Sequence, residues 1–217
     1  MRSVSLSLAT IRLELLAERA VYLPSQRILL IADLHLGKAA AFRRAGLAVP
    51  EGDTNDTLAR CSTLINRYTP AGLVLLGDIL HTHLSADPTL AETIRRWRAQ
   101  HAAVPMVAIQ GNHDRELDHL GDVLDCQTEG IEAHGLQLFH HPPETAQSTP
   151  WLAGHLHPVV ALAGAGDRMR LPSFIATANH GLILPAFGSL TGGLVVKPQR
   201  GQRRFVSSGK QVYALSD

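Results

Sequence analysis

The chain has 217 residues, of which 45% are hydrophobic and 18% are charged, and its formal net charge is +1. This length suffices for one sizeable core, so a single domain over residues 1–217 is expected, with the composition of an ordinary globular protein. The near-zero net charge excludes an overall basic field as an argument for nucleic-acid binding. No apolar run approaches the roughly 18–20 residues of a membrane span. The two cysteines form no CxxC motif, so we expect a cytoplasmic protein without a membrane partner.

The predicted strands come in a regular order along the chain. Residues 1–16 alternate apolar and polar positions, which is typical of a strand rather than of a signal peptide. Five later apolar runs are predicted as strands buried on both faces. They are RILLIAD (27–33), AGLVLLGD (71–78), VPMVAIQGN (104–112), LQLFHH (136–141) and TPWLAGH (149–155).

Two amphipathic patterns lie between the first three of these strands. The segment 53–68 is predicted as a helix with Asp53 or Thr54 as its N-cap, and 87–101 as a helix that opens with Asp-Pro. The apolar faces of the two helices comprise Leu58, Cys61, Leu64, Ile65 and Tyr68 in the first, and Leu90, Ile94 and Trp97 in the second. The alternation of strand and helix predicts a parallel sheet. The turn-rich, strand-like segments from about residue 130 onward predict a second sheet packed against it.

Residue types that bind metals follow every one of the five predicted strands. In chain order they are Asp33 and His35, Asp78, Asn112 with His113 and Asp114, His140 and His141, and His155 with His157. Parallel strands present their carboxyl ends at one edge of a sheet, where ligands bind in open α/β folds. A single Asp or His after a strand is more often a turn or cap residue. Core packing, however, gives no reason for such residues to follow all five strands. Glycines at 77, 111 and 154 would let the backbone turn sharply and approach an ion closely.

The chemical types of the predicted ligand atoms indicate which metal ions the site could bind. The seven ligand positions are Asp33, His35, Asp78, Asn112, one of His140 and His141, His155 and His157. They are too many for one tetrahedral zinc ion and include no thiolate, which excludes a structural zinc site. Mixed oxygen and imidazole donors suit two divalent cations such as Mn²⁺, Fe²⁺ or Zn²⁺. Two such ions about 3.5–4 Å apart can activate a water molecule and hold a phosphoryl group in line.

The motifs DxH, GD, GNHD, H and GHxH, at 33–35, 77–78, 111–114, 140 and 154–157, resemble those of the calcineurin-like binuclear metallophosphoesterases. The flanking segments 32–52 and 182–193 are similar to the bacterial ligase-associated DNA-damage-response endonucleases. This resemblance implies an α/β fold of two packed mixed sheets flanked by helices. It implies a manganese-dependent phosphodiesterase, active in DNA repair on single strands or exposed ends. It also implies a functional association with a DNA ligase and a helicase.

The resemblance assigns roles to individual positions. It places Asp33, His35 and His157 on a first metal, Asp78 as a bridge, and Asn112, His140 and His155 on a second metal. His113 would donate to a non-bridging phosphate oxygen or assist the leaving oxygen. Relatives often carry Gly directly after the fourth-strand ligand, where this chain has His141. The choice between His140 and His141 therefore stays open, with His140 preferred.

A second departure concerns the position three residues after the bridging aspartate. Many relatives carry an Asp there that orients the catalytic histidine, whereas this chain has His81. Asp114 therefore either takes over the orienting role or only caps its turn. The alternative to an orienting Asp114 is that His81 and His83 face the substrate instead. His141 is also predicted as a substrate contact.

Three basic residues follow the first motif closely. Lys38, Arg43 and Arg44 are predicted to contact phosphates, since binding to a DNA backbone depends on Lys and Arg. The alternative for all three is a solvated helix face. Other substrates remain open as well, because a binuclear centre recognises only the phosphoryl group. A nucleotide, a lipid-linked pyrophosphate or a phosphoprotein would use the same chemistry, and a metal-free scaffold is disfavoured because every motif is retained.

Overall fold

Seven strands form the first sheet of this computed structural model, which describes residues 3–164 and 167–215. The first four strands are an antiparallel meander, and the fourth to seventh strands are parallel. The parallel pairing predicted for the first three apolar runs is confirmed. In chain order the strands are β1 Val4–Leu8, β2 Ile11–Leu15, β3 Val21–Leu23, β4 Ile28–Ala32, β5 Gly72–Leu76, β6 Met106–Ile109 and β7 Asp125–Gln127.

The alternating segment at the start of the chain forms two strands rather than one. The chain turns at Ala9, whose φ of 50° is left-handed, and this turn separates β1 from β2. Residues 1–2 of the predicted strand lie outside the described residues. The alternation itself has the expected consequence, because Leu6, Leu8, Leu13 and Leu15 are buried.

Three α-helices connect and cover the first sheet: α1 Lys38–Arg44, α2 Asp53–Tyr68 and α3 Pro88–Gln100. The predicted bounds of α2 are confirmed. Helix α3 is one residue shorter at each end than the predicted 87–101, because Asp87 is its N-cap, as expected from Asp-Pro, and His101 is its C-cap. The predicted N-cap of α2 is wrong. Gly52, with φ of 96°, is the cap, so Asp53 is already helical. Among the described residues, no helix is long and apolar enough to span a membrane.

The second sheet has nine strands and contains every strand from residue 131 onward. They are β8 Ile131–Ala133, β9 Leu136–Leu138, β10 Trp151–Ala153, β11 Pro158–Gly164, β12 Asp167–Ala176, β13 Gly181–Ile183, β14 Leu194–Val195, β15 Arg203–Ser207 and β16 Val212–Leu215. Strand β10 pairs in parallel with both β9 and β13. The fourth and fifth predicted strands are therefore confirmed, but each is shorter than its apolar run.

Strand β4 shows why the chain forms a layered sandwich. Leu29 and Ile31 belong to a core cluster that also contains the buried faces of α2 and α3. Leu30 and Ala32, on the other face, belong to a cluster between the two sheets that includes Phe174. Each fully buried large aliphatic side chain contributes about 1.5–3 kcal/mol relative to exposure. The predicted α/β fold of two packed mixed sheets is confirmed.

The loops that follow β4, β5, β9 and β10 meet at one edge of the sandwich. The backbone N–H of His35 donates to the carbonyl of Asp78 at 2.9 Å, which joins the first two loops. The N–H of His155 donates to the carboxylate of Asp33 at 2.9 Å, which joins the two sheets. Residues far apart in the chain are thereby held within hydrogen-bonding distance of one another.

Three glycines at this edge have no room for a side chain. A Cβ atom at Gly77 would overlap the imidazole of His140, and one at Gly111 would overlap the backbone nitrogen of Asp78. A Cβ at Gly154 would lie 2.6 Å from Oδ2 of Asp33. The close contacts at these glycines are between neighbouring loops. The predicted approach of their backbone to an ion stays a prediction.

The substitution Gly111→Ala tests this constraint. The new methyl group has to displace the Asp78 backbone, so the free energy of unfolding should fall by about 1–3 kcal/mol. Gly192→Ala is the matched control, because a Cβ at Gly192 meets nothing within 4 Å. Thermal and denaturant unfolding of both variants measure the difference. Equal stability of the two variants would contradict the packing described for Gly111.

Candidate metal centre

The first cluster of the site joins residues from the two sheets: Asp33, His35, Asp78 and His157. Each offers a ligand atom within 4.8 Å of the others. Nε2 of His35 lies 3.2 Å from Nε2 of His157 and 3.6 Å from Oδ2 of Asp78. Nε2 of His157 lies 3.5 Å from Oδ1 of Asp33. Two imidazole nitrogens and two buried carboxylates facing one point suit a divalent cation.

The second cluster centres on the imidazole of His140. Its Nε2 lies 2.9 Å from Oδ1 of Asn112, 3.1 Å from Nδ1 of His155 and 3.5 Å from Oδ1 of Asp78. His141 also offers a ligand atom within 4.8 Å of those of His140 and His155. The structure therefore brings both histidines of the 140–141 pair to this cluster.

Asp78 belongs to both clusters because its two carboxylate oxygens point in different directions. Oδ2 faces His35, and Oδ1 faces His140. Oδ1 also accepts the backbone N–H of His113 at 3.0 Å. This hydrogen bond fixes the orientation of the carboxylate between the two groups of ligand atoms.

The backbone is left-handed at five of the predicted ligands. Their φ angles run from 45° to 68°, at Asp33, His35, Asp78, His155 and His157. Such a conformation costs a non-glycine residue about 1–3 kcal/mol, and it persists only where the surrounding structure fixes it. Backbone strain of this kind is concentrated at functional sites.

Burial favours the neutral form of two imidazoles in the clusters, those of His35 and His155. It lowers the pKa of His35 to about 2, and the nearby cation of Lys38 lowers it further. Burial also lowers the pKa of His155, with a contribution from His140. A neutral imidazole has the lone pair that a metal requires, so these side chains can bind cations at neutral pH.

His113 and His81 lie beside the first cluster at its open side. The ring of His113 stacks on that of His81, with centroids 5.3 Å apart, and lies 5.4 Å from the ring of His35. Burial lowers the pKa of His81 to about 4, and the charge of Lys38 contributes. Because His113 is exposed, its ring is accessible to a molecule that enters the site.

The carboxylate of Asp114 is completely buried and binds backbone groups. It accepts the N–H groups of Ile79, Leu80 and Gly111 at 3.2, 2.8 and 2.9 Å. Burial raises the pKa of Asp114 to about 6, against the effect of these bonds. Of the two roles predicted for Asp114, the geometry favours the cap, since its carboxylate ties the loop after β5 to the loop after β6.

Lys38 lies at the start of α1, close to the first cluster. Burial lowers the pKa of its ammonium group, while the carboxylate of Asp78 acts in the opposite direction. Its Nζ lies 5.8 Å from the centre of the Phe42 ring. Lys38 therefore lies near the carboxylates of the first cluster, and its predicted contact with a phosphate stays a prediction.

Arg43 and Arg44 bind neighbouring loops. Arg43 donates to the carbonyl of Pro50 at 2.9 Å, and Arg44 donates to the hydroxyl of Thr82 at 2.7 Å. Both guanidinium groups therefore hold surface segments together. This geometry favours the alternative prediction for these two residues, a helix surface without a substrate contact.

Three supporting residues were missed by the sequence analysis. Glu129 accepts the backbone N–H groups of His140 and His141 at 3.1 and 2.9 Å. Arg19 and Arg60 donate to the carbonyls at 188 and 187, whose own N–H groups pair with the backbone at 33 and 32. These residues lie outside every motif, and no local pattern distinguishes them from ordinary surface charges.

The chain is similar to known phosphoesterases and to a nuclease. The sequence model of the calcineurin-like phosphoesterases matches residues 26–168. The crystal structure of Pseudomonas putida nuclease MPE has a TM-score of 0.82 and 34% identity, over 99% of this chain and 100% of that one. Yfce, a phosphoesterase from E. coli, has 16% identity over 82% of this chain and 86% of that one, with a TM-score of 0.44.

No curated protein matches the sequence. The family match nevertheless spans more than half of the chain, and it includes the first, second and third ligand motifs and both histidine pairs. The paired His and Asp clusters at the edge of the sandwich agree with it. The chain therefore belongs to the calcineurin-like phosphoesterase family and is a hydrolase that acts on phosphate esters.

Proposed function

We propose that this protein is a Mn²⁺-dependent endonuclease that hydrolyses DNA phosphodiester bonds at a two-metal centre and acts in DNA repair. The observation that carries the proposal is the carboxylate of Asp78, which directs one oxygen at each of two ligand clusters. The likeness to a nuclease over the whole chain supports nucleic acid as the substrate class.

The convergence of donor atoms supports the ligand assignment that the family resemblance implies. Asp33, His35 and His157 would hold the first cation, Asn112, His140 and His155 the second, and Asp78 would contribute to both. Their donors are imidazole nitrogens and carboxylate or amide oxygens, which suit Mn²⁺ and also Fe²⁺ or Zn²⁺. Asn112 contributes a neutral oxygen, which avoids a third negative charge beside an anionic substrate.

When bound at these residues, two divalent cations would activate a water nucleophile and neutralise charge on the phosphoryl oxygens. The chain supplies the positioning. The left-handed turns at the ligands and the buried carboxylate of Asp114 hold the loops in place before substrate arrives. A preorganised polar site of this kind needs little rearrangement during the reaction.

His113 is proposed as the group that contacts the reacting phosphate. Its backbone N–H is bound to Asp78, which fixes the residue beside the clusters, and its ring is exposed at the open side of the site. From there an N–H of the ring would donate to a non-bridging oxygen or to the leaving oxygen. General acid catalysis by such a group typically contributes about 10²–10⁴-fold.

Two residues near the first cluster are proposed to contact the DNA. Lys38, close to the first cluster, would bind a phosphate beside the one being cleaved, and His81 would line the same opening. Single strands or exposed ends are the proposed DNA forms. A functional association with a DNA ligase and a helicase belongs to the same proposal.

Two substitutions should separate metal binding from phosphate chemistry. Asp78→Ala removes a ligand from both clusters and should abolish both Mn²⁺ binding and hydrolysis. His113→Ala should lower kcat by about 10²–10⁴-fold while Mn²⁺ affinity stays unchanged. Titration calorimetry and assays on a generic aryl phosphodiester measure the two quantities. Wild-type activity in either variant would overturn the assignment of that residue.

A substrate panel tests the DNA part of the proposal. With Mn²⁺, the protein should cleave single-stranded DNA, and it should be compared on duplex DNA, nicked DNA, an aryl phosphodiester and a phosphomonoester. Parallel reactions with Fe²⁺ and Zn²⁺ test the metal, and Asp78→Ala is the control for contaminating nucleases. Cleavage of the aryl ester with all DNA substrates intact would exclude the nuclease function and retain the phosphodiesterase chemistry.

A further inference from the structure

His141 lies against the second cluster, although it is not one of the seven proposed ligands. Its ring centroid is 4.5 Å from that of His140 and 4.3 Å from that of His155. A ligand nitrogen of each of the three histidines lies within 4.8 Å of those of the other two. The side chain of His141 is 43% exposed, so packing in a core does not explain its position.

Glu129 fixes the orientation and the tautomer of this imidazole. Nδ1 of His141 lies 3.1 Å from Oε2 and 3.2 Å from Oε1 of Glu129. An ionised carboxylate only accepts hydrogen bonds, so Nδ1 carries the proton and Nε2 keeps its lone pair. Metal-binding histidines usually donate their second ring N–H to a carboxylate or a carbonyl in this manner.

His140 also has an oxygen acceptor for the proton on Nδ1, but this acceptor is a backbone carbonyl and not a carboxylate. Its Nδ1 faces the carbonyl oxygen of Leu76 at 3.3 Å, which leaves Nε2 for the cluster. Glu129 also accepts the backbone N–H groups of both histidines, so one carboxylate positions the whole pair. Each histidine thus has a proton acceptor at Nδ1, so the lone pair of its Nε2 is available to a metal, and the two histidines are compatible as ligands of one site.

We propose that His141 is an additional ligand of the second metal, with Glu129 as its positioning residue. The second site would then combine three imidazoles, from His140, His141 and His155, with oxygens of Asn112 and Asp78. This inference rests on the proposed two-metal centre. It distinguishes this chain from the family pattern, in which glycine often stands at position 141.

Calorimetric titration of chelator-treated protein with Mn²⁺ tests the inference without any activity measurement. Wild-type protein should bind two Mn²⁺ ions, and His141→Ala should weaken one of the two sites by at least about 10-fold. Glu129→Gln should weaken the same site by about 10-fold. The amide oxygen of Gln, at the position of Oε2, can still accept the backbone N–H groups. Its NH₂ group, at the position of Oε1, would donate to Nδ1 of His141 and so favour the tautomer with the proton on Nε2.

His119→Ala is the matched control, since His119 is exposed, lies on the short turn Leu117–Leu120 and belongs to neither cluster. It should leave both Mn²⁺ affinities unchanged, and thermal unfolding without metal should verify that all variants are folded. If wild-type protein binds two Mn²⁺ ions and both His141→Ala and Glu129→Gln retain its affinities, His141 is not a ligand. If wild-type protein itself fails to bind two ions, the proposed function fails instead.

Discussion

The relative position of the two ligand clusters depends on one carboxylate that belongs to both. Asp78 directs Oδ2 at the cluster of His35 and Oδ1 at the cluster of His140, so a single side chain sets the relation between the two. It can do so only because Gly111 leaves room for its backbone and because the N–H of His113 holds Oδ1. Any displacement of this carboxylate would disturb both clusters at once.

The two-sheet sandwich brings together ligands that lie more than a hundred residues apart. Strands β4 and β5 deliver Asp33 and Asp78 from one sheet, and β9 and β10 deliver His140 and His155 from the other. The core clusters on both faces of β4 provide the stability that offsets left-handed backbone at the ligands. The buried carboxylate of Asp114 transmits this rigidity to the loops, because it binds backbone groups on both sides.

Much of this arrangement could be predicted from local patterns. Apolar runs located β4, β5, β6, β9 and β10, and helical periodicity located α2 and α3. The polar residues after those strands located the candidate site. What escaped prediction depends on tertiary contacts. Gly52 replaces Asp53 as the cap of α2, Glu129 binds a histidine pair eleven residues ahead, and left-handed φ angles occur at residues with no glycine signal. None of these has a repeating pattern in the chain.

The proposed catalytic centre requires two metal ions that share Asp78 as a ligand. The most direct measurement is anomalous X-ray diffraction at the manganese edge from crystals grown with Mn²⁺. We expect two anomalous peaks about 3.5–4 Å apart, with one carboxylate oxygen of Asp78 bound to each. A single peak, or peaks that make no contact with Asp78, would contradict the two-metal centre.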